Sequence, residues 1–185
     1  MNLEDLPLNT TANVIPTNTE ACLVQTTFQK NTIMNLAFGN PKGDKHNPDW
    51  AAIERQYKIS LSEMLEIGKA IEDRNFKEVI DGIADVTTTN DGLAHIAGVN
   101  GDVALDCVYR SNMSKFCADG AEVDATLAKY AAKGVELTVH GVYPAAFVRS
   151  AKEQLLDGEI IPAGKFLKGI NYNRPDFSAV MATAD

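Results

Sequence analysis

WAAIERQYKISLSEMLEIGKAIEDRNFKEVIDGIADVTTTNDGLAHIAG, residues 50–98, decides the fold. In its first half Ile53, Tyr57, Leu61, Met64 or Leu65, and Ile67 or Gly68 recur at helical spacing. Asp49, or the preceding Asn47-Pro48, can cap a helix running from Trp50 to about Asp73. Asn75 interrupts it, and a second helical pattern from Phe76 to roughly Ala97 carries Val79, Ile80, Ile83 and Val86 before stopping at Gly98. Two long helices joined by a turn as short as Arg74-Asn75 have to pack antiparallel.

Outward from this pair, Leu23, Phe28, Ile33, Leu36 and Phe38 predict a preceding helix from Glu20 that ends at Gly39-Asn40-Pro41. Val103, Leu105, Val108, Tyr109 and Met113 predict a following one from Asp102 to Cys117. Four helices with short connections read as an all-α, antiparallel four-helix-bundle core. A small α+β segment is appended at the C-terminal side. There EVDATLAKYAAKG (122–134) reads as helix, VELTVHGVY (135–143) as strand, PAAFVRSAKEQLLDG (144–158) as helix, and EIIPAGKFLKGINYNRPDF (159–177) as strand and loop. Residues 1–19, polar and with two prolines, read as an extended arm, 20–117 as the helical core, and 118–185 as a closing segment of the same domain.

Composition narrows the function. With 25 acidic against 17 basic side chains the net charge is -8, which disfavours a general grip on nucleic-acid polymers or an anionic membrane. Cys22, Cys107 and Cys117 form no CxxC and have no histidine at zinc spacing, so neither a disulfide framework nor a zinc site is expected. The first residues carry neither a basic nor an apolar signal region, and no stretch approaches the roughly 20 apolar residues of a membrane span. A cytoplasmic location is the expectation.

The chemistry sits on the central pair of helices. Glu63 and Glu66 are one turn apart on the first, and Glu78, Asp81 and Asp85 share an edge of the second within about 60°. Antiparallel packing brings the two edges to a similar height. Carboxylates so close raise one another's pKa unless a divalent cation intervenes, and an all-oxygen donor set selects a hard ion, Mg²⁺ with Mn²⁺ as a substitute. A mixed-charge solvated face is the usual alternative, but the second helix is almost uncharged from Val79 to Asn90 apart from its aspartates. Gly82, within the acidic face, points to a close approach of backbone or ligand there. In RSNMSK (110–115), Asn112 and Lys115 are three apart and can present an amide and a cation to a phosphate, or the lysine can simply complement a helix C-terminus. His46, His95 and His140 lack paired ligand spacing and read as structural or exposed, and Trp50 as a helix-start anchor.

ExxE at Glu63 and Glu66, ExxDxxxD at Glu78, Asp81 and Asp85, and then RSNMSK resemble the MazG and phosphoribosyl-ATP pyrophosphohydrolase superfamily of all-α nucleotide pyrophosphatases. EVIDGIADV (78–86), RSNMSK and KGINYNRPDF (168–177) are similar to its bacteriophage-type members. The resemblance implies that Glu63, Glu66 and Asp85, with Asp81 or Glu78, hold Mg²⁺, and that Asn112 and Lys115 hold substrate. Lys165, Lys168, Asn171 and Tyr172 can close over it, the lysines on phosphate and Tyr172 on a base, or the segment can be a surface strand that packs Phe166, Leu167 and Tyr172 on the bundle. It implies cleavage of a nucleoside triphosphate, dNTPs included, to monophosphate and pyrophosphate by a homodimer or homotetramer in the cytoplasm, that of the host for a phage-encoded chain. The same chemistry on a phosphoribosyl nucleotide or an alarmone is the competing substrate class. A catalytically weak nucleotide- or host-protein-binding member is the non-enzymatic one. Two departures stand out: Ser62 where the family often has Glu, and Gly82 where its second-helix Glu usually sits. Residues 118–160 form an insertion between RSNMSK and the closing motif.

Overall fold

In a computed structural model, residues 25–182 are described and are mostly helical. They form α1 (Thr27–Ala37), α2 (Trp50–Glu72), α3 (Phe76–Ile96), α4 (Gly101–Met113), α5 (Gly120–Ala131), strands β1 (Leu137–His140), β2 (Phe147–Ser150), β3 (Gln154–Leu156) and β4 (Glu159–Ile161), and a short α6 (Ser178–Ala182). The expected arm over 1–19, the helix start at Glu20, Leu23 and Cys22 lie outside the described residues. The chain divides into two compact units, one reaching to Ala104 and resuming at Ala179, the other spanning Leu105–Ser178.

In the first unit, caps set the helix boundaries. Thr26 and Gln29 close a capping box on α1. Asp49 accepts from the Ala52 N–H at 3.0 Å to start α2, and Asn75 caps α3 directly after the turn. Gln56, Ser60, Glu63, Ile67 and Ala70, alternately four and three apart, form the seam of α2 that meets α3. The Gln56 Nε2 donates to the Thr89 carbonyl at 3.1 Å, Ile67 lies against Gly82, and Ser60 and Ala70 are buried. These contacts run in opposite sequence directions, so the pair is antiparallel.

The seam differs from the apolar stripe expected from periodicity. Tyr57, Leu61, Met64 and Leu65 on α2 and Ile80 and Ile83 on α3 are exposed. Small and polar residues let the two helices approach closely, and the larger apolar side chains are displaced to the flanks.

At the far end of α3, His95 is completely buried, and its Nε2–H donates to the Asn40 carbonyl at 3.0 Å. Gly98, at φ +73°, ends the helix and packs backbone to backbone against Gly43, whose N–H donates to the His95 carbonyl at 3.0 Å. His95 is therefore a structural anchor for the α1–α2 loop, in line with its reading from sequence. His95→Ala is expected to lower unfolding free energy by about 2–4 kcal/mol, through a cavity and an orphaned carbonyl, measured as an earlier urea midpoint.

The second unit is built on Tyr130, Val135, Val148, Ile161 and Leu167, with Leu127, Leu137 and Leu156 packed against them. Strands β1 and β2 pair antiparallel, as do β3 and β4. Two expectations are corrected here. Helix α4 stops at Met113 rather than Cys117, because the Cys117 N–H donates to the Ala146 carbonyl at 2.7 Å and the return bond draws the segment into sheet pairing. PAAFVRSAKEQLLDG is not helical: it carries β2, with Val148 and Ser150 buried and Arg149 exposed between them, and then β3. Asp157 and Gly158, both at positive φ, make the two-residue turn into β4. Asp-Gly between apolar residues is a strong hairpin signal, and it outweighs the helical spacing of the preceding residues.

Candidate functional site

Glu63 sits in the middle of the α2–α3 seam, one turn from Ser60 and from Ile67, so the close packing of the helices half-buries it. Asp85 occupies the matching place on α3 and is also half-buried, whereas Glu66 and Asp81 are exposed. The Glu63 carboxyl is held above its ordinary pKa, first by partial desolvation and then by the negative charges of Glu66, Asp85 and Asp81. The four carboxylates thus share one electrostatic neighbourhood. Among the described residues, none of the four forms an ion pair with Lys or Arg.

Their donor chemistry fits a hard divalent cation: oxygen only, anionic, and repelling one another. Among the described residues no three Asp, Glu, His or Cys side chains converge into a finished metal group. The fit therefore rests on donor type and mutual charge, with side-chain rotation needed to close a shell. Glu78 occupies a different place, in the first turn of α3, where its N–H donates to Asn75 Oδ1 at 3.4 Å. With Glu66, Lys69, Ala70, Asp73 and Asn75 it lines a depression of about 450 Å³ at the helix turn. Asp81, not Glu78, is among the charges acting on Glu63.

Gly82, flagged by its place on the acidic face, is buried beside Ile67: a Cβ there would come within 2.5 Å of Ile67 Cγ1. The close approach there is made by a neighbouring side chain, not by the backbone or ligand expected from sequence.

Asn112, Lys115, Lys168 and Tyr172 belong to the second unit. There RSNMSK and KGINYN lie directly on one another. The Gly169 N–H donates to the Lys115 carbonyl at 3.1 Å, the Asn173 carbonyl accepts from Ser111 Oγ at 2.8 Å, and the Asn173 N–H donates to Ser114 Oγ at 2.9 Å. Thr126, buried in α5, accepts from the Ile170 N–H at 2.9 Å, and Asn171 Nδ2 donates to Glu122 at 2.7 Å. The 118–160 segment therefore supplies part of the shelf on which the closing motif rests. A Cβ on Gly169 would stand 2.7 Å from the Lys115 carbonyl oxygen. Gly169→Ala is expected to separate the two motifs and to cost about 1–3 kcal/mol, seen as a lower melting temperature and as faster amide exchange at Gly169 and Asn173.

Lys115 donates to Asn112 Oδ1 at 2.7 Å, so the pair expected to share a face does meet. Lys168 Nζ lies 4.5 Å from the centre of the Tyr172 ring. Lys115 and Lys168 also border one cavity of about 530 Å³, together with Lys129, Lys133 and Lys165. Tyr130, on its wall, donates through its hydroxyl to the Lys168 carbonyl at 3.2 Å, and burial pushes its phenol above the ordinary value. Lys129 and Lys133 were not singled out from sequence. Their four-residue spacing in AKYAAK, where Lys129 lies in the last turn of α5 and Lys133 just beyond it, is the sequence signal that could have found them. Arg110 is engaged along its own helix with Asp106 at 2.5 Å.

Compared with models of known protein families, with curated proteins and with solved structures, the chain matches none.

Proposed function

We propose that this chain is a Mg²⁺-dependent nucleotide pyrophosphohydrolase, adding water across the α–β anhydride of a nucleoside triphosphate to give monophosphate and pyrophosphate. The observation that most supports this reading is the mutual charge of Glu63 and Asp85, half-buried at the α2–α3 seam, with exposed Glu66 and Asp81 beside them and no ion pair to Lys or Arg among the described residues. Glu63, Glu66 and Asp85, with Asp81, would hold Mg²⁺ or Mn²⁺. Such an ion, when bound, neutralises phosphate charge and lowers the pKa of a coordinated water. As a separate group within the second unit, Lys115 and Lys168 offer cations to phosphate, Asn112 holds Lys115, and Tyr172 offers a face to a base.

In this reading helices α1–α4 are the core of a four-helix bundle in a cytoplasmic protein. Trp50, Tyr57, Leu61, Met64 and Leu65 on α2 and Ile80 and Ile83 on α3 are large apolar side chains left exposed, and apolar surface of this kind marks interaction sites when it is contiguous. It favours assembly into a homodimer or homotetramer.

The test is a panel of ribo- and deoxyribonucleoside triphosphates, phosphoribosyl nucleotides and alarmones, with Mg²⁺ present and pyrophosphate detected. Release from at least one compound, lost in Asp85→Ala while the far-UV circular dichroism is unchanged, is the expected result. No release from any of them overturns the reading.

A further inference from the structure

The 530 Å³ cavity of the second unit gathers Lys115, Lys129, Lys133, Lys165 and Lys168 around it against only Asp157 and Glu159. In a chain of net charge -8 this is a local reversal of sign. Most of these cations are not neutralised. Lys115 is held by a neutral amide and lies 5.8 Å from the Phe166 ring centre, Lys129 lies 5.3 Å from that of Tyr130, and Lys168 stands over Tyr172. Lys165 makes no ion pair among the described residues. Only Lys133 has a carboxylate partner, Asp157, at 2.8 and 2.7 Å to its two oxygens.

We propose that this cavity is a polyphosphate-binding site that works without a metal ion. Its volume suits a small ligand. Several ammonium groups around one cavity suit a ligand that carries anionic oxygens along a chain, as a polyphosphate does. The overall negative charge turns away nucleic-acid polymers while leaving the local field intact. Asp157 acts as an internal competitor: it occupies Lys133 until a phosphate takes its place. Phe166, Ile161 and Leu167 give the wall an apolar part on which a base can lie. The inference shares Lys115 and Lys168 with the hydrolase reading but goes beyond it, because this binding needs neither the carboxylates nor Mg²⁺.

The experiment is titration calorimetry of the full chain in EDTA with inorganic tripolyphosphate and, in parallel, with ATP. The parent chain should bind tripolyphosphate at low salt and lose affinity as salt rises. Lys129→Glu with Lys165→Glu should weaken binding about tenfold or more, whereas Lys58→Glu with Lys152→Glu, the same change of charge away from the cavity, should alter it little. Asp157→Asn should tighten binding about threefold by freeing Lys133. Asn accepts the positive φ of that position. Tighter binding of ATP than of tripolyphosphate assigns the site to nucleotides, and equal binding to the phosphate chain alone. No binding by the parent chain in EDTA, or equal weakening by both double variants, overturns the proposal. Should the cavity variant fail to fold, Asp157→Asn decides: affinity that stays the same or falls also overturns it. Glu63→Gln separates the two readings, since it should abolish pyrophosphate release and leave tripolyphosphate binding as it was.

Discussion

Glu63→Gln is expected to melt at a higher temperature than the parent chain when no divalent cation is present, and to release pyrophosphate at least about 100-fold more slowly. The first effect follows from the seam. Glu63 is half-buried between two helices with three other carboxylates acting on it, so its charge opposes folding. Its folded pKa is raised, so the folded state holds the proton to higher pH than the unfolded chain does. The handicap is therefore fully present above the folded pKa and fades as pH falls toward the unfolded value. Differential scanning calorimetry at neutral pH should show the variant ahead, with the gap closing on acidification. The second effect follows from the proposed metal role: outer partners of a metal site already cost about 10–100-fold when removed, and a ligand should cost no less. Mg²⁺ at about 100 times its Kd should stabilise the parent by roughly 2.7 kcal/mol, and the variant by much less. Equal melting of the two chains in EDTA, together with equal Mg²⁺ stabilisation, would remove the carboxylate group from the mechanism.

The same seam makes Gly82→Val a damaging change that removes no charge. A Cβ alone would meet Ile67 Cγ1 at 2.5 Å, and two further methyl groups have no room unless α2 and α3 part. Valine is no worse than glycine as a helix former, so the loss measures packing alone. About 3 kcal/mol is expected, which is roughly 10 °C in melting temperature for a domain of this size. Adding Ile67→Ala should restore part of it by returning volume to the seam. Gly68 is the contrast. It lies on the exposed side of α2 with nothing within 4 Å of where a Cβ would stand, so Gly68→Ala should stabilise by up to about 1 kcal/mol. If both glycines respond alike, the seam is not where the helices touch.

These two glycines show how sequence and tertiary structure divided the information. Both stand in helical runs and read alike by propensity, and only the packing of α3 on α2 separates them. The cap at Asp49, the break at Asn75, the stop at Gly98 and the pairing of α2 with α3 are legible because each depends on residues near in sequence. The third C-terminal segment was misread for the converse reason. The spacing of Phe147 to Leu156 satisfies a helix, yet buried Val148 and Ser150 and the Asp157-Gly158 turn hold it in strands.

By itself the sequence determined that acidic residues repeat at one-turn spacing on two successive helices, and that RSNMSK and KGINYN carry amides and lysines in fixed order. Local periodicity and capping chemistry are enough for that. Only the tertiary structure decided that the α2–α3 seam runs through Gln56, Ser60, Ile67 and Ala70 with Glu63 at its centre. It also decided that the two motifs, more than fifty positions apart, share hydrogen bonds, and that Lys129 and Lys133 join them around one cavity. Those are matters of which faces meet, and contact across long sequence separation is set by packing rather than by the order of neighbours along the chain.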